Sequence, residues 1–154
     1  MVSGGQTGVD RAALDVAIAL GLPYGVWCPA GGRAEDRPEP PGLLTDYPDL
    51  CATEETDAGV RTERNVRESD ATLVVVPRGD WHSPGTDLTI TCCRRLERSH
   101  LVATVDQVGE VTRWLRGTGG SVLNVAGPRE SQSPGIYAAT ARLLHAVLDD
   151  DRTS

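Results

Sequence analysis

The chain has 154 residues, 39% apolar content, a formal net charge of −7, and arginine but no lysine on its basic side. That length fits one domain, which buries about 68–70% of the unfolded chain's surface and needs no staples. The acidic balance argues against a broad basic face for a nucleic-acid polymer, and no apolar run reaches the roughly 20 residues of a membrane span.

A small anion held in a local positive pocket stays open, and arginine is the better fork for a planar oxyanion. No basic start leads into an apolar stretch, so no signal peptide is expected. The four cysteines, Cys28, Cys51, Cys92 and Cys93, lack zinc-ligand spacing. The expectation is reduced thiols in a cytoplasmic protein, small and buried, with no metal site. His82, His100 and His145 fall in unrelated segments, and only His82, after a strand, is worth watching.

The chain opens with "MVSGGQTGVDRAALDVAIALG". Val9, Ala12, Ala13, Val16, Ala17 and Leu20 make one apolar stripe and predict a helix. Thr7 or Asp10 is the expected cap, and Gly21 and Pro23 the stop. Only Val2 and Ser3 stand before the glycines, so a first strand would be very short. Residues 24–28, "YGVWC", predict a short strand. From Pro29 to about Thr53 the chain is rich in Pro, Gly and charge without a period, which predicts a functional or mobile loop. The segment "EETDAGVRTERNVRESD" has only Ala58, Val60 and Val66 as apolar residues. It reads as a thinly packed helix with one side exposed or facing a ligand.

"ATLVVVP" is a continuous β-branched run and predicts a strand buried on both faces. A turn follows, then a helix with Leu88, Cys92 and Leu96 at four-residue intervals. "HLVATV" predicts a strand, and Val108, Val111 and Leu115 the inward side of a helix. "SVLNVAG" predicts another strand, and Ile136, Ala139, Thr140, Leu143, Leu144 and Val147 a closing helix. The regular alternation predicts an α/β domain over residues 1–149 with a mainly parallel sheet between helices. Residues 150–154 read as a solvated tail.

Ligands of open α/β sheets sit beyond the carboxyl ends of the strands. Three turns there carry suggestive chemistry. In "SGGQTG", Gly4 and Gly5 allow close backbone approach, and Gln6 and Thr7 add donors. Free N–H groups at the following helix start suit an anion, although a tight turn alone also explains the glycines. In "SPGTDLT", Gly85 and Thr86 open a helix, with Thr86 as cap or as clamp. In "NVAGPRESQSPGIY", Arg129 could fork onto a phosphate or pair with Glu130. A fourth group lies on the polar helix, where Arg61 and Asn65 share a face beside Thr62 and Glu63.

Together "GGQTGVDRAALD", "CPAGGRAED", "RTERNVRESDATLVV" and "LNVAGPRESQSPGIY" resemble the proteins designated molybdenum carriers, within the SLOG superfamily of Rossmann-like nucleotide-ligand binders. The resemblance spans nearly the whole chain. It implies a Rossmann-like three-layer α/β/α fold, a homodimer or homotetramer, and a phosphate-bearing ligand such as molybdenum cofactor or a nucleotide. Carried over residue by residue, it points to Gly4, Gly5, Gln6, Thr7, Gly8, Arg61, Glu63, Asn65, Gly85 and Thr86. The same superfamily includes phosphoribohydrolases, which release a base from a nucleoside monophosphate. Those carry a carboxylate on the helix after the second glycine turn, where this chain has Thr89, and Pro84 stands where related carriers have glycine. The expected function is therefore binding or carriage of a phosphorylated ligand. The alternative is a hydrolase whose carboxylate would come from Glu63 or from the loop pair Glu35 and Asp36.

Overall fold

The computed structural model describes residues 1–152, without the side chains of Val26 and of residues 150–152. Five helices alternate with five strands, all of whose pairings are parallel. The strands are β1 (Val26–Cys28), β2 (Leu50–Ala52), β3 (Ala71–Val76), β4 (Ser99–Thr104) and β5 (Leu123–Ala126). The helices are α1 (Val9–Ala19), α2 (Ala58–Arg67), α3 (Pro84–Arg95), α4 (Val108–Thr118) and α5 (Ile136–Arg152). Among the described residues, no helix is long and apolar enough to cross a membrane.

β3 runs between β4 and β5, and β1 pairs with β2. Val2 joins the two groups. It bridges Asn124 of β5 on one side and Gly25 on the other. Its N–H donates to the Leu123 carbonyl at 2.7 Å, and its carbonyl accepts from Val125 at 2.9 Å. The very short first strand is thus a single residue wedged mid-sheet. Its brevity sets the glycine turn right at the sheet's carboxyl rim.

All six residues of β3 are buried, as a β-branched run between two helical layers requires. On one face Leu73, Val75, Ala103 and Val125 meet Val9, Ala13 and Val16 of α1, Val111 of α4, and Ile136, Leu143, Leu144 and Val147 of α5. Val66 of α2 and Cys92 and Cys93 of α3 form a separate cluster. The result is a three-layer, Rossmann-like α/β/α domain.

Several expectations need correction. The stretch after Pro29 is not structureless: it holds 3-10 turns at Ala30–Gly32 and Gly42–Thr45, and then β2. Leu43, Tyr47 and Leu50 anchor it on Leu14 and Cys28. Three residues have too few alternations to announce a strand, so β2 had no local signal. Neither Thr7 nor Asp10 caps α1; the cap position is Gly8, with no side-chain bond. Ser83, not Thr86, caps α3 by accepting the Thr86 N–H at 3.3 Å, with Pro84 in the first turn, where a missing N–H does no harm. Helix α5 runs through Arg152, and residues 153–154 of the expected tail lie outside the described residues. Cys28, Cys92 and Cys93 are buried, whereas Cys51 is exposed.

Candidate functional site

The carboxyl rim of the sheet receives the Val2 turn, the β3–α3 turn and the β5–α5 turn. Between them and the start of α2 lies a cleft of about 290 Å³. Gln6 and Asp10 form one wall, and Ala58, Gly59, Arg61 and Thr62 of α2 another. Ser83 to Thr86, Leu88 and Thr89 line the α3 side, and Gly127, Arg129 and Gln132 the β5–α5 side. The α2 and α3 amino termini both border this space, and helix starts favour negative charge. Arg61 and Arg129 both line this space, beside the carboxylate of Asp10.

The centre of the site is a buried ion pair. Arg61 Nη1 reaches Asp10 Oδ2 at 3.2 Å, with the side chains 14% and 4% exposed. The Gln6 N–H also bonds the Asp10 carboxylate. Burial drives the Asp10 carboxyl above its ordinary range, against the opposing pull of Arg61. Gly4 explains how Arg61 reaches this position. A Cβ there would stand 1.6 Å from Arg61 Nη1, so only glycine lets the guanidinium lie on the backbone. Arg61 Nε is buried and has no hydrogen-bond partner. A buried donor without a partner is costly, and a ligand oxygen would satisfy it.

Gly8 serves a second approach. Its φ of +77° and ψ of −128° lie in a region that only glycine adopts readily. A Cβ would sit 2.3 Å from the Pro128 carbonyl oxygen. The Val9 N–H donates to that same oxygen at 3.2 Å, so the start of α1 is docked on the β5–α5 turn.

The structure brings Gln6, Arg61, Thr62, Gly85, Thr86 and Arg129 around one cleft. It places the other candidates elsewhere. Gly4 and Gly5 do not line the cleft; Gly4 backs Arg61, and the Gly5 carbonyl accepts from Arg11 Nε at 3.1 Å. Thr7 and Gly8 border a separate hollow beside Arg11, Asp15, Tyr47, Glu130 and Tyr137. Asn65 is buried, and its amide clamps both the N–H and the carbonyl of Trp27 at 3.0 Å each. Glu63 pairs with Arg95 at 2.8 Å and Arg67 at 2.5 Å, away from the cleft. Those partners hold its carboxyl below the ordinary range, the wrong direction for a general acid. His82 is exposed between Asp80 and Asp87, and the bond to Asp87 raises its pKa.

The loop carboxylates are engaged as well. Asp36 takes a two-point bond from Arg11 at 2.8 and 2.9 Å. Glu35 accepts from the Thr7 hydroxyl and, at 2.6 Å, from the Ser131 hydroxyl, and lies 3.7 Å from Arg129. Arg129 therefore pairs with Glu35; Glu130 instead accepts the Gly135 and Tyr137 N–H groups, at 2.5 and 2.9 Å, at the start of α5. Glu35 thus latches the long loop to the first and last turns of the rim.

This latch has a pH dependence of definite sign. Burial works to raise the Glu35 carboxyl, but the bonds from Ser131 and Thr7 outweigh it and hold the pKa low. A depressed carboxyl stabilises the folded form above its unfolded value of about 4.3 and ceases to do so as pH falls through the folded value. Relative to its intrinsic rate, amide exchange at residues 30–37 is expected to accelerate in acid below about pH 4. Glu35→Ala should reproduce that acceleration at neutral pH. Identical exchange in the variant and the parent would show that the latch holds nothing.

The sequence reading missed Asp10 as a ligand-facing group, along with Leu88, Gly127 and Gln132. Asp10 carried a signal, an acidic residue in the helical run after the glycines, but the helix-start reading absorbed it. Leu88, part of the four-residue interval that predicted α3, is 40% exposed and lines the cleft wall.

The model of the circularly permutated YpsA SLOG family matches residues 1–148. The fold is similar to the crystal structure of a "Putative molybdenum carrier protein" from Syntrophus aciditrophicus SB. The TM-score is 0.84 at 37% sequence identity, over 96% of this chain and 92% of that chain. No curated protein matches. With the family model running from residue 1 to residue 148, this chain belongs to the circularly permutated YpsA SLOG family.

Proposed function

We propose that the protein binds or carries a small phosphate-bearing molecule, a nucleotide or molybdenum cofactor, in the Arg61 cleft. The observation that carries this reading is the buried Arg61 guanidinium with an unsatisfied Nε, set among two helix starts and the β5–α5 turn. A phosphate oxygen supplies the missing acceptor, and charge-assisted bonds of this kind are the strong ones. The size of the cleft sits at the lower end of small-molecule sites, which suits a mononucleotide-sized group. Neither Cys nor His lines it among the described residues. A molybdenum-bearing cargo would accordingly be gripped by its phosphate end.

The hydrolase alternative draws no support from Glu63, Glu35 or Asp36: each is held by other partners, and none lines the cleft. Isothermal titration with AMP and with molybdenum cofactor is expected to give saturable binding. Arg61→Lys, which keeps the charge but loses the fork, should weaken it by about tenfold or more. No heat from either ligand in folded protein would remove the reading. Free adenine released from AMP would establish the hydrolase instead.

A homodimer or homotetramer accompanies this proposal. Val102 on edge strand β4 and Ile18 on α1 are exposed apolar side chains that a second copy would cover. Light scattering during size exclusion tests it, and a monomer mass at micromolar concentration would refute it.

A further inference from the structure

The cleft proposed for an anion contains a buried carboxylate. Asp10 is almost wholly inaccessible, yet it lines the same space as Arg61, Thr86 and Arg129. It is joined to Arg61 at one point only, Nη1 to Oδ2 at 3.2 Å, and Arg61 Nε is buried without a partner. A dianion drawn to Arg61 therefore approaches a fixed negative charge that water cannot screen. Two such charges cannot both persist at contact distance in a dry site; one of them takes a proton.

We propose that Asp10 is a charge gate on this site: a dianionic ligand docks on Arg61 only as Asp10 takes up one proton from solvent. The proposal rests on the anion-binding reading of the cleft given above. The proton adds to a carboxylate oxygen of Asp10, no bond of the ligand is broken, and the site exchanges its internal ion pair for one between Arg61 and the ligand. The protonated carboxyl then donates a hydrogen bond where the carboxylate could only accept. Asp10 is thereby a specificity determinant. It disfavours bare dianions at high pH and favours ligands that bring a proton, or a hydroxyl or amine donor, beside the anionic group.

The surroundings of Asp10 are consistent with such a role. Arg61 from α2 and Arg11 from its own helix are the charged groups acting on it, and Arg129 of the β5–α5 turn borders the same cleft. From β1, the buried Cys28 also feels Arg61, and burial keeps it a neutral thiol. The Ser3 hydroxyl ties down the Asp10 backbone carbonyl at 2.9 Å, so the side chain cannot withdraw by shifting the helix start. Burial already pushes the Asp10 carboxyl upward before any ligand arrives.

The test uses AMP, whose phosphate has a second pKa of about 6 and is dianionic at pH 8. Calorimetry of the full chain at pH 8, in buffers of different ionisation enthalpy, is expected to show uptake of close to one proton per AMP bound. Affinity should fall about tenfold per pH unit across the alkaline range. In Asp10→Asn the uptake should vanish, the pH slope should flatten, and AMP should bind about tenfold or more tightly at pH 8. The proton count on the unmodified protein stands even if that variant folds poorly, and Asp10→Ser gives a second variant. Binding without proton uptake overturns the gate, as does uptake that persists in Asp10→Asn, which would place the proton on the phosphate. Absence of AMP binding in parent and variants alike overturns the reading of the cleft, and the gate with it.

Discussion

Arg61→Met is expected to lower the stability of the fold by about 3–5 kcal/mol, the cost of leaving a buried charge without its partner. The substituted side chain fills most of the space over Gly4, so the loss is electrostatic more than a matter of packing. Asp10 is left nearly inaccessible, with the Gln6 N–H as its remaining close donor and Arg11 as its remaining nearby charge. Its carboxyl, already raised by burial, should rise further once the Arg61 charge is gone. The sign of the pH dependence follows. A carboxyl with a raised folded pKa binds its proton more tightly when folded than when unfolded. Stability is then highest below the unfolded value of about 3.9 and falls as pH rises toward the folded value. The gap in Tm between Arg61→Met and the parent should widen from mildly acidic to neutral pH. Adding Asp10→Asn should recover part of the loss, since an amide is far less costly to bury alone than a carboxylate. Denaturant unfolding across pH measures all of this. A single mutant as stable as the parent at pH 7 would show that the pair is solvated and that the cleft does not bury it.

Gly8→Ala is expected to cost on the order of 3 kcal/mol and to separate the two halves of the rim. Two penalties act together. The backbone at position 8 occupies a region closed to residues with a Cβ, and the new methyl would lie 2.3 Å from Pro128 O and 2.8 Å from Arg129 C. Those are backbone atoms, which cannot step aside as a flexible side chain does. Relief requires the β5–α5 turn to move off the start of α1, which breaks the Val9 to Pro128 bond and displaces Arg129 from the cleft. Loss of Tm and loss of AMP binding should therefore appear together, along with faster amide exchange at Val9 and around Ser131. A variant that keeps full stability would mean that the turn has room the present geometry denies it. For contrast, Gly85→Ala has nothing within 4 Å of its new methyl and should leave the fold intact.

Much of the architecture was written locally. The stripe from Val9 to Leu20, the apolar run of β3 and the amphipathic pattern of α5 each carry a period within one element, and period follows from side-chain geometry alone. The thin apolar content of α2 matches its packing, since Arg61 and Thr62 line the cleft and only Asn65 and Val66 are buried. The glycine turn was visible, but its purpose was not. Gly4 and Gly8 answer to Arg61 and Pro128, residues far along the chain, and nothing beside them in sequence names those partners.

The sequence by itself determined the α/β alternation, the parallel sheet, the family and the presence of an arginine-bearing polar helix. Only the tertiary structure decided that Arg61 meets Asp10, 51 positions away, and that Asn65 one turn on is spent on β1. It also decided that Glu35 latches a loop which had no period of its own. The physical reason is common to all three. Secondary structure is set by steric preferences and burial repeating within a few residues, whereas the partner of a polar side chain is set by which distant segments lie beside it. That neighbourhood exists only after those segments have packed.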